Sequence, residues 1–294
     1  MRLTNNLNLP APIVTAIQRQ VGDYDRGESD YSITDLINPP QIVMLKRQFE
    51  DEIIEDVSQR IWMLLGSAIH NILEKAGDGA DSMGEVRLFA YLNYEEKTIS
   101  GKFDHLAIDS GTLTDYKVTS SYSVKGDEVK PEWVKQLNYY RWLCMRNDLN
   151  VDDLQITAIL RDWNQHGLRD ENYPRQSVVT MQVPVWDEKF TEHSIKMDLG
   201  DHVDAANGVC RPCTDEERWC VPGKIALMKK GRKSAVRLLD TEYELMEYMT
   251  KNKFTSEAGY YMVERPTTYR RCEDYCSVSK FCPQWEKTNN EGTN

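Results

Sequence analysis

Two aspartates and a lysine stand at spacings that could support phosphodiester chemistry. The chain contains Gly101-x-x-Asp104, and eleven residues after Asp104 it contains Asp115-x-Lys117. Side chains alternate between the two faces of a strand, so Asp115 and Lys117 point the same way. The turn residues 109–111 lie midway between the two aspartates. A hairpin folded at this turn would bring Asp104 nearly opposite Asp115.

A divalent cation would give these two carboxylates a function. Carboxylates that face each other across a strand pair repel. Mg²⁺ is commonly held by one or two carboxylates together with waters and phosphate oxygens. Such an ion can activate a water and stabilise charge on a phosphate, and Lys117 could orient that water or offset the phosphate charge. The alternative is a surface hairpin with alternating charge, because Asp-x-Lys alone occurs by chance in many strands.

A histidine and a glutamate stand where they could join such a site. His70 lies in a helix predicted over about residues 57–75, and neutral imidazole is a plausible metal ligand. A lone histidine on a helix is also often a capping or core residue. Gly66, one turn earlier on the same side, would let a neighbouring segment approach closely. Glu85 opens the first predicted strand, where it could reach the metal through a water, but an exposed strand end is the expected role.

Gln136 and Tyr140 are four residues apart on the helix that follows the hairpin, so they share a face. Glutamine can hydrogen-bond a phosphate or a base edge, and tyrosine can do the same or stack on a base. The alternative is a half-buried aromatic helix that packs on the sheet.

Hydrophobic periodicity predicts the elements that must position these residues. Strands are predicted at residues 86–94, 98–108 and 112–118 as an antiparallel meander, and further strands at 154–163 and 178–186. Helices are predicted at residues 39–54, 57–75, 131–146 and 187–206. Thr241 and Glu244 have the spacing of a capping box at the start of another helix.

The net charge of −11 argues, taken globally, against a nucleic-acid-binding protein. However, clustered carboxylates belong to a metal site, and DNA affinity depends on the local field. Basic residues are dense between Lys224 and Arg237, where Lys230 and Arg232 are candidate DNA contacts. The alternative for this segment is a solvated hairpin surface.

No segment predicts a membrane span or an export signal. The longest apolar runs, such as residues 61–65, are far too short to cross a membrane. The first twenty residues lack a compact apolar stretch followed by a small-residue cleavage site. We therefore expect an intracellular, cytoplasmic protein.

Taken together, the order of these residues is specific. It runs His70, Glu85, Gly101-x-x-Asp104, Asp115-x-Lys117 and Gln136-x-x-x-Tyr140. This order resembles the RecB-like branch of the PD-(D/E)XK nuclease superfamily, which includes CRISPR adaptation nucleases and iron–sulfur exonucleases. The resemblance covers roughly residues 32–145 and is closest to bacteriophage versions, which would act in the host cytoplasm.

The resemblance implies an α/β fold with a mixed central sheet flanked by helices and a C-terminal cysteine–metal subdomain. It implies that His70, Asp104, Asp115 and the backbone carbonyl of Val118 bind Mg²⁺ or Mn²⁺. It also implies that Asp104, Asp115 and Lys117 are catalytic, and that Gln136 and Tyr140 lie at the DNA.

The domain organisation expected from these features has four parts. Residues 1–30 form an irregular arm, 31–208 the nuclease core, 209–286 the cysteine and basic-hairpin region, and 287–294 a disordered tail. The 294 residues suit such a core with a smaller subdomain.

Six of the seven cysteines lie in the last third of the chain, and their odd number argues against a disulfide framework. Cys272-x3-Cys276-x5-Cys282 is a compact motif, and relatives often hold a [4Fe-4S] cluster with three C-terminal cysteines and one distant cysteine. That distant cysteine is usually N-terminal, but this chain has none before Cys144. We expect Cys213 as the fourth ligand. Cys210 and Cys220 compete with it, and Zn²⁺ remains the alternative metal.

The function expected from the sequence is a Mg²⁺- or Mn²⁺-dependent deoxyribonuclease. It would be an exonuclease acting on ends or single strands in recombination, repair or replication, alongside proteins of those processes. One alternative is a nucleic-acid-binding or recombination-partner module that has lost catalysis. Another is a structural metal-binding protein with an incidental hairpin. An intact Asp104, Asp115 and Lys117 set favours the enzyme.

Overall fold

The computed structural model describes residues 1–22, 27–77, 81–126 and 128–291, and it divides into two compact units, Met1–Arg211 and Pro212–Asn294. The α-helices of the described residues are α1 (Ala11–Gly22), α2 (Ile33–Leu36), α3 (Pro40–Gln48), α4 (Ile61–Gly77), α5 (Pro131–Met145), α6 (Glu188–Ala206), α7 (Glu242–Asn252) and α8 (Pro283–Glu291).

The strands of the first unit are β1 (Arg2–Thr4), β2 (Tyr31–Ser32), β3 (Ile54–Asp56), β4 (Ser82–Gly84), β5 (Arg87–Leu92), β6 (Lys97–Lys102), β7 (His105–Ala107), β8 (Thr112–Thr119), β9 (Asp153–Leu160) and β10 (Val178–Val183). Those of the second unit are β11 (Cys220–Val221), β12 (Lys224–Lys229), β13 (Arg237–Leu239), β14 (Tyr260–Arg265) and β15 (Thr268–Tyr269).

The first unit contains a five-stranded sheet in the order β10-β9-β8-β7-β4. Strands β8 and β9 are parallel, and the other pairs of this sheet are antiparallel. Strand β9 buries alternate residues, which are Leu154, Ile156, Ala158 and Leu160, as expected for a strand with one face on the core. The predicted α/β fold with a mixed sheet flanked by helices is therefore confirmed, and the parallel pairing explains why α5 separates β8 from β9 in the chain.

The predicted meander changes sheets in its second strand. That strand, expected as one element over residues 98–108, breaks at Phe103 and Asp104. Strand β6 pairs with β5 and β2 in a three-stranded sheet, whereas β7 pairs with β8 in the five-stranded sheet. Phe103 is 2% exposed and anchors the break in the core. The prediction of a continuous meander was wrong here, because residues 103 and 104 leave the strand and the chain passes from one sheet to the other.

Helix α5 lies at the centre of the first unit and contacts β5, β6, β8 and β9. It begins with Pro131 at its first turn, where a missing N–H leaves no hydrogen bond unmade. Gly101 of β6 lets the helix approach. A Cβ there would lie 2.8 Å from Tyr140 Cε1 and 2.9 Å from Leu143 Cδ2. This glycine is thus required by packing against α5.

The ends of the chain are more ordered than expected. Strand β1 pairs in parallel with β3, and Ile17 of α1 is fully buried. Residues 1–22 are therefore not an irregular arm, because apolar side chains of α1 face the core; residues 23–26 of that arm lie outside the described residues. The expected tail is helical over residues 287–291, where α8 continues, and residues 292–294 lie outside the described residues.

The second unit is built on the sheet β13-β12-β14 and the pair β11-β15. Helix α7 begins with the predicted capping box, in which Thr241 and Glu244 each accept a hydrogen bond from the other's backbone N–H. Across the residues that the structure describes, no helix combines the length and apolar character needed to cross a membrane.

Candidate metal centre

The register of β7 on β8 brings the two aspartates of the hairpin together. His105 pairs with Thr114, and Ala107 pairs with Thr112. One further step of the same register sets Asp104 opposite Asp115, as the turn at residues 109–111 predicted. Asp104 stands just outside β7. Its Oδ2 accepts a hydrogen bond of 2.8 Å from the backbone N–H of Tyr116.

His70 is held beside these aspartates by helix α4. Its Nε2 lies 2.9 Å from the carbonyl oxygen of Tyr116 in β8. Its Nδ1 lies 3.3 Å from Asp104 Oδ1. Both nitrogens of the ring are therefore directed by groups of the hairpin, and the predicted association of His70 with the carboxylate pair agrees with this geometry.

Glu85 also belongs to this cluster. Its Oε1 lies 3.7 Å from His70 Nδ1, and its side chain is 12% exposed and ion-pairs with Lys102. The expectation of an exposed strand end was wrong, because Glu85 has a φ of 53° that turns it inward between β4 and β5. The preceding glycine was an available signal. A Cβ on Gly84 would lie 3.2 Å from the Asp104 carbonyl oxygen.

Three potential metal-ligand atoms lie close together in the first unit. Atoms of His70, Glu85 and Asp104 all lie within 4.8 Å of one another, and this is the one such group of three or more histidine, cysteine or acidic residues in the described part of the chain. One imidazole nitrogen and two carboxylate oxygens are a donor set suited to a divalent cation such as Mg²⁺ or Mn²⁺.

The electrostatics of the cluster also suit a cation. Hydrogen bonds to Asp104 and Glu85 raise the pKa of His70 to about 10. Burial, together with the charge of Asp104, raises the pKa of Asp115, whereas the neighbouring Lys117 opposes the increase. The raised pKa of His70 shows that Asp104 and Glu85 favour positive charge at this point, and the raised pKa of Asp115 shows that its buried carboxylate needs a positive neighbour.

Lys117 is fixed by two partners. Its Nζ lies 2.7 Å from Asp115 Oδ2 and donates a hydrogen bond of 2.8 Å to Gln136 Oε1 on α5. Asp115 is 4% exposed. The structure therefore brings Asp115, Lys117 and Gln136 together as one chain of contacts, next to Asp104.

Tyr140 differs from its expected place. It is 7% exposed and packs against Gly101. Its hydroxyl hydrogen-bonds with Gln136 and Thr34, and burial raises its pKa. A ring enclosed in this way cannot stack on a base, so that version of its DNA-binding role was wrong. Tyr140 instead contacts Gln136 through its hydroxyl.

Val118 has its backbone groups on the same edge of β8 as those of Tyr116. Backbone groups alternate between the two edges of a strand. The N–H and carbonyl of Tyr116 contact Asp104 and His70 respectively. Two residues further on, the carbonyl of Val118 faces the same edge, which is the orientation that the predicted ligand role needs.

A second cluster, of cysteines, lies in the second unit. Burial raises the pKa of the Cys213 thiol to about 12, and the charges of Cys282 and Cys272 also act on it. Burial also raises the pKa of Cys276, and the charges of the same two cysteines act on it. Cys220 instead lies among Asp215, Glu216 and Arg218, in β11. The charges of Cys272 and Cys282 thus act on both Cys213 and Cys276, whereas those that act on Cys220 come from Asp215, Arg218 and Glu216. Cys210 belongs to the first unit.

The segment that carries Cys213 is tied to the C-terminal segment by paired hydrogen bonds. The backbone N–H of Cys213 donates to Gln284 Oε1 over 2.9 Å, and Gln284 Nε2 donates to the Cys213 carbonyl over 2.8 Å. Arg271 adds a bond from its backbone N–H to the Arg218 carbonyl. These contacts tie the backbone of Cys213 to α8, which begins directly after Cys282.

The two basic residues predicted at the DNA, Lys230 and Arg232, are exposed on the turn that follows β12. The Lys230 backbone N–H donates to the Gly259 carbonyl over 2.8 Å. They belong to the second unit, whereas His70, Asp104, Asp115 and Lys117 belong to the first.

No model of a known protein family and no curated protein matches the chain. Among solved structures, the protein SSO0001 is 19% identical, with 70% of this chain and 89% of that chain covered and a TM-score of 0.47. An alkaline exonuclease from Laribacter hongkongensis is 13% identical, covering 66% of this chain and 78% of that chain, with a TM-score of 0.29. A phage-related exonuclease from Haemophilus somnus is 13% identical, covering 67% of this chain and 81% of that chain, with a TM-score of 0.29. Each TM-score lies under 0.5, so a function has to rest on the geometry of this chain's own site.

Proposed function

We propose that this protein is a metal-dependent nuclease that hydrolyses phosphodiester bonds of DNA. One observation carries the proposal. Asp104 and Asp115 meet across a hairpin, His70 joins them from α4, and Lys117 Nζ lies 2.7 Å from Asp115 Oδ2. A module that had lost catalysis would be expected to have lost part of this set, whereas every member is present.

The residues fit a divalent cation, Mg²⁺ or Mn²⁺. His70, Asp104 and Asp115 would hold it, together with the carbonyl of Val118. Glu85 is a further candidate ligand because its carboxylate shares one point with His70 and Asp104. When bound, the cation supplies Lewis-acid stabilisation of a phosphate and lowers the pKa of a water.

Lys117 would be the catalytic side chain of the protein itself. Its contacts with Asp115 and Gln136 hold the ammonium group in one position. From there it can donate a hydrogen bond to a phosphate oxygen and stabilise the charge that develops during hydrolysis. Gln136, itself fixed by Tyr140, is the positioning residue for Lys117 and can also contact DNA.

The same proposal includes a [4Fe-4S] cluster held by Cys213, Cys272, Cys276 and Cys282. Thiolates around one Zn²⁺ ion lie about 3.8 Å apart, given Zn–S bonds of about 2.3 Å. In a [4Fe-4S] cluster each of four thiolates would bind a different iron atom, and the three-cysteine motif Cys272-x3-Cys276-x5-Cys282 with one further cysteine supplies four.

The cleavage experiment uses protein purified without oxygen and end-labelled DNA, single- and double-stranded, with Mg²⁺, Mn²⁺ or EDTA. We expect metal-dependent cleavage, reduced about a hundredfold or more in Lys117→Ala because a transition-state donor is lost. Lys125→Ala is the matched control, since Lys125 is exposed and pairs with Asp170. Stepwise products from one end would establish an exonuclease suited to recombination, repair or replication. Wild type and Lys117→Ala that are equally inert with every substrate and metal would contradict the proposal.

A further inference from the structure

Three residues of α4 lie along one ridge of the helix. Trp62, Gly66 and His70 are four residues apart, and such residues form a continuous row on a helix surface. The row extends about 12 Å from Trp62 to His70, at about 1.5 Å per residue. Its end at His70 is the candidate metal centre.

Both ends of this row are linked to strand β8, His70 directly and Trp62 through Arg161. His70 Nε2 contacts the Tyr116 carbonyl. At the other end, Trp62 lies under the guanidinium of Arg161, whose backbone N–H donates to the carbonyl of Thr119. Tyr116 and Thr119 are about 10 Å apart along β8, at about 3.3 Å per residue. The two spans are similar and α4 contacts β8, so α4 lies beside the end of the strand that carries Lys117.

Between the two ends, the helix faces empty space. A Cβ added to Gly66 would meet no atom of the described residues within 4 Å apart from its chain neighbours and the backbone of its own helix. The sequence predicted that this glycine admits a neighbouring segment, and that prediction was wrong for the described residues. The space beside Gly66 is therefore open to a ligand that comes from outside the chain.

Trp62 and Arg161 have the chemistry of a base-stacking site. The indole is 56% exposed, although its apolar area would favour burial. The centre of the Arg161 guanidinium lies 4.4 Å from the ring centroid. Arg161 forms no ion pair with a carboxylate of the described residues, so its charge is available to a phosphate. An exposed aromatic face beside a cation is how single-stranded nucleic acid is bound without sequence preference.

We propose that Trp62 and Arg161 form a stacking site for a base of a single DNA strand, and that the open space at Gly66 receives the strand between this site and the metal centre. The span of about 12 Å corresponds to between about three and four steps of a stacked strand at about 3.4 Å each. The DNA identity of the strand rests on the proposed function, whereas the binding itself needs no cleavage.

The experiment measures the dissociation constant of the full-length protein for a short fluorescein-labelled single-stranded oligonucleotide, in EDTA and low salt. Trp62→Ala should bind about tenfold more weakly because one stacked base is lost. Trp62→Phe keeps an aromatic face and should stay close to wild type. Ile72→Ala is the matched control, since Ile72 is 65% exposed on the same helix.

A second pair of variants tests the space at Gly66. Gly66→Leu should weaken binding about tenfold by filling the strand's path, while the thermal midpoint does not fall, because leucine is a better helix former than glycine. Gly66→Ala should bind as wild type does. Wild-type affinity in both Trp62→Ala and Gly66→Leu, or a wild type that binds no single strand in EDTA, would overturn the stacking site.

The outcomes separate this proposal from the nuclease assignment. Binding that depends on Trp62 and Gly66 in a protein that never cleaves would support the stacking site and remove the proposed activity. Metal-dependent cleavage with an unchanged KM for single strands in Trp62→Ala and Gly66→Leu would retain the nuclease and overturn the stacking site.

Discussion

His70 of α4 reaches strand β8, where its Nε2 lies 2.9 Å from the carbonyl oxygen of Tyr116. This contact orients the ring so that Nδ1 faces Asp104. Metal-binding imidazoles are usually oriented in this way by a hydrogen bond from the second nitrogen to a carbonyl or carboxylate group. The Tyr116 carbonyl therefore gives His70 the geometry of a ligand.

Replacing this histidine should weaken metal binding. We expect His70→Ala to bind Mn²⁺ at least about tenfold more weakly, since altering even the hydrogen-bonded surroundings of a metal ligand costs about that much. Titration calorimetry on the metal-free protein measures the affinity. His193→Ala, at an exposed position of α6, is the control. Equal affinity in wild type and His70→Ala would exclude His70 as a ligand.

Glu85→Gln tests the residue that the sequence placed wrongly. The substitution preserves shape but removes the charge that a divalent cation would contact, so we expect weaker Mn²⁺ binding in the same titration. Glu96→Gln is the matched control, because Glu96 is another glutamate with a positive φ and is exposed. If Glu85→Gln binds Mn²⁺ as wild type does, Glu85 acts only as the partner of Lys102.

Cys213→Ser and Cys220→Ser distinguish the fourth thiol of the cysteine cluster. The first should lose absorption near 400 nm and bound iron, because Cys213 lies with the three C-terminal cysteines. The second should retain both, because Cys220 lies among other charges. Iron analysis of anaerobically purified protein measures the outcome. Loss in Cys220→Ser and retention in Cys213→Ser would reverse the assignment, and bound zinc in wild type would replace iron.

Gly101→Ala should destabilise the protein, whereas Gly66→Ala should not. At residue 101 the new Cβ would lie 2.8 Å from both Ile33 Cδ1 and Tyr140 Cε1, and overpacking of this kind costs about 1–3 kcal/mol. At residue 66 the methyl group enters open space, and alanine in a helix is favoured over glycine by about 1 kcal/mol. Urea unfolding gives both free energies. Equal effects at the two positions would contradict the packing argument.

Asp56 should make the stability depend on acid pH. Hydrogen bonds from the Asn6 backbone and from Ser58 lower its pKa to about 2. A lowered pKa stabilises the folded state above the ordinary value of about 3.9, and the contribution is lost as pH falls towards 2. Asp56→Asn should therefore reduce the urea midpoint at a pH of about 5 and less so at a pH of about 3. An equal reduction at both values would contradict this origin, and Asp51→Asn serves as an exposed control.

The sequence predicted the carboxylate hairpin because local rules determine it. A turn between Asp104 and Asp115 sets the register, and alternation sets the shared direction of Asp115 and Lys117. The same rules predicted α5 from Pro131 and the capping box at Thr241. The part of the site that lies within one hairpin could therefore be predicted, because its residues are close together in the chain.

Other parts of the site depend on contacts that no local pattern encodes. Glu85 turns inward through a positive φ, which is uncommon for glutamate. Tyr140 is buried because Gly101, far from it in the chain, admits its ring. In α1, Ile17 packs into the core even though its polar neighbours suggested an irregular arm. Tertiary packing decided each of these positions.

The break between β6 and β7 has a thermodynamic consequence. Asp104 follows Phe103, a buried residue at the point where the chain passes from one sheet to the other. A cation held by Asp104 would bind the native arrangement of both sheets and not the unfolded chain. Mass action then couples occupancy to folding, and the melting temperature should rise with the concentration of free cation. The melting curve would thereby serve as a titration of the site.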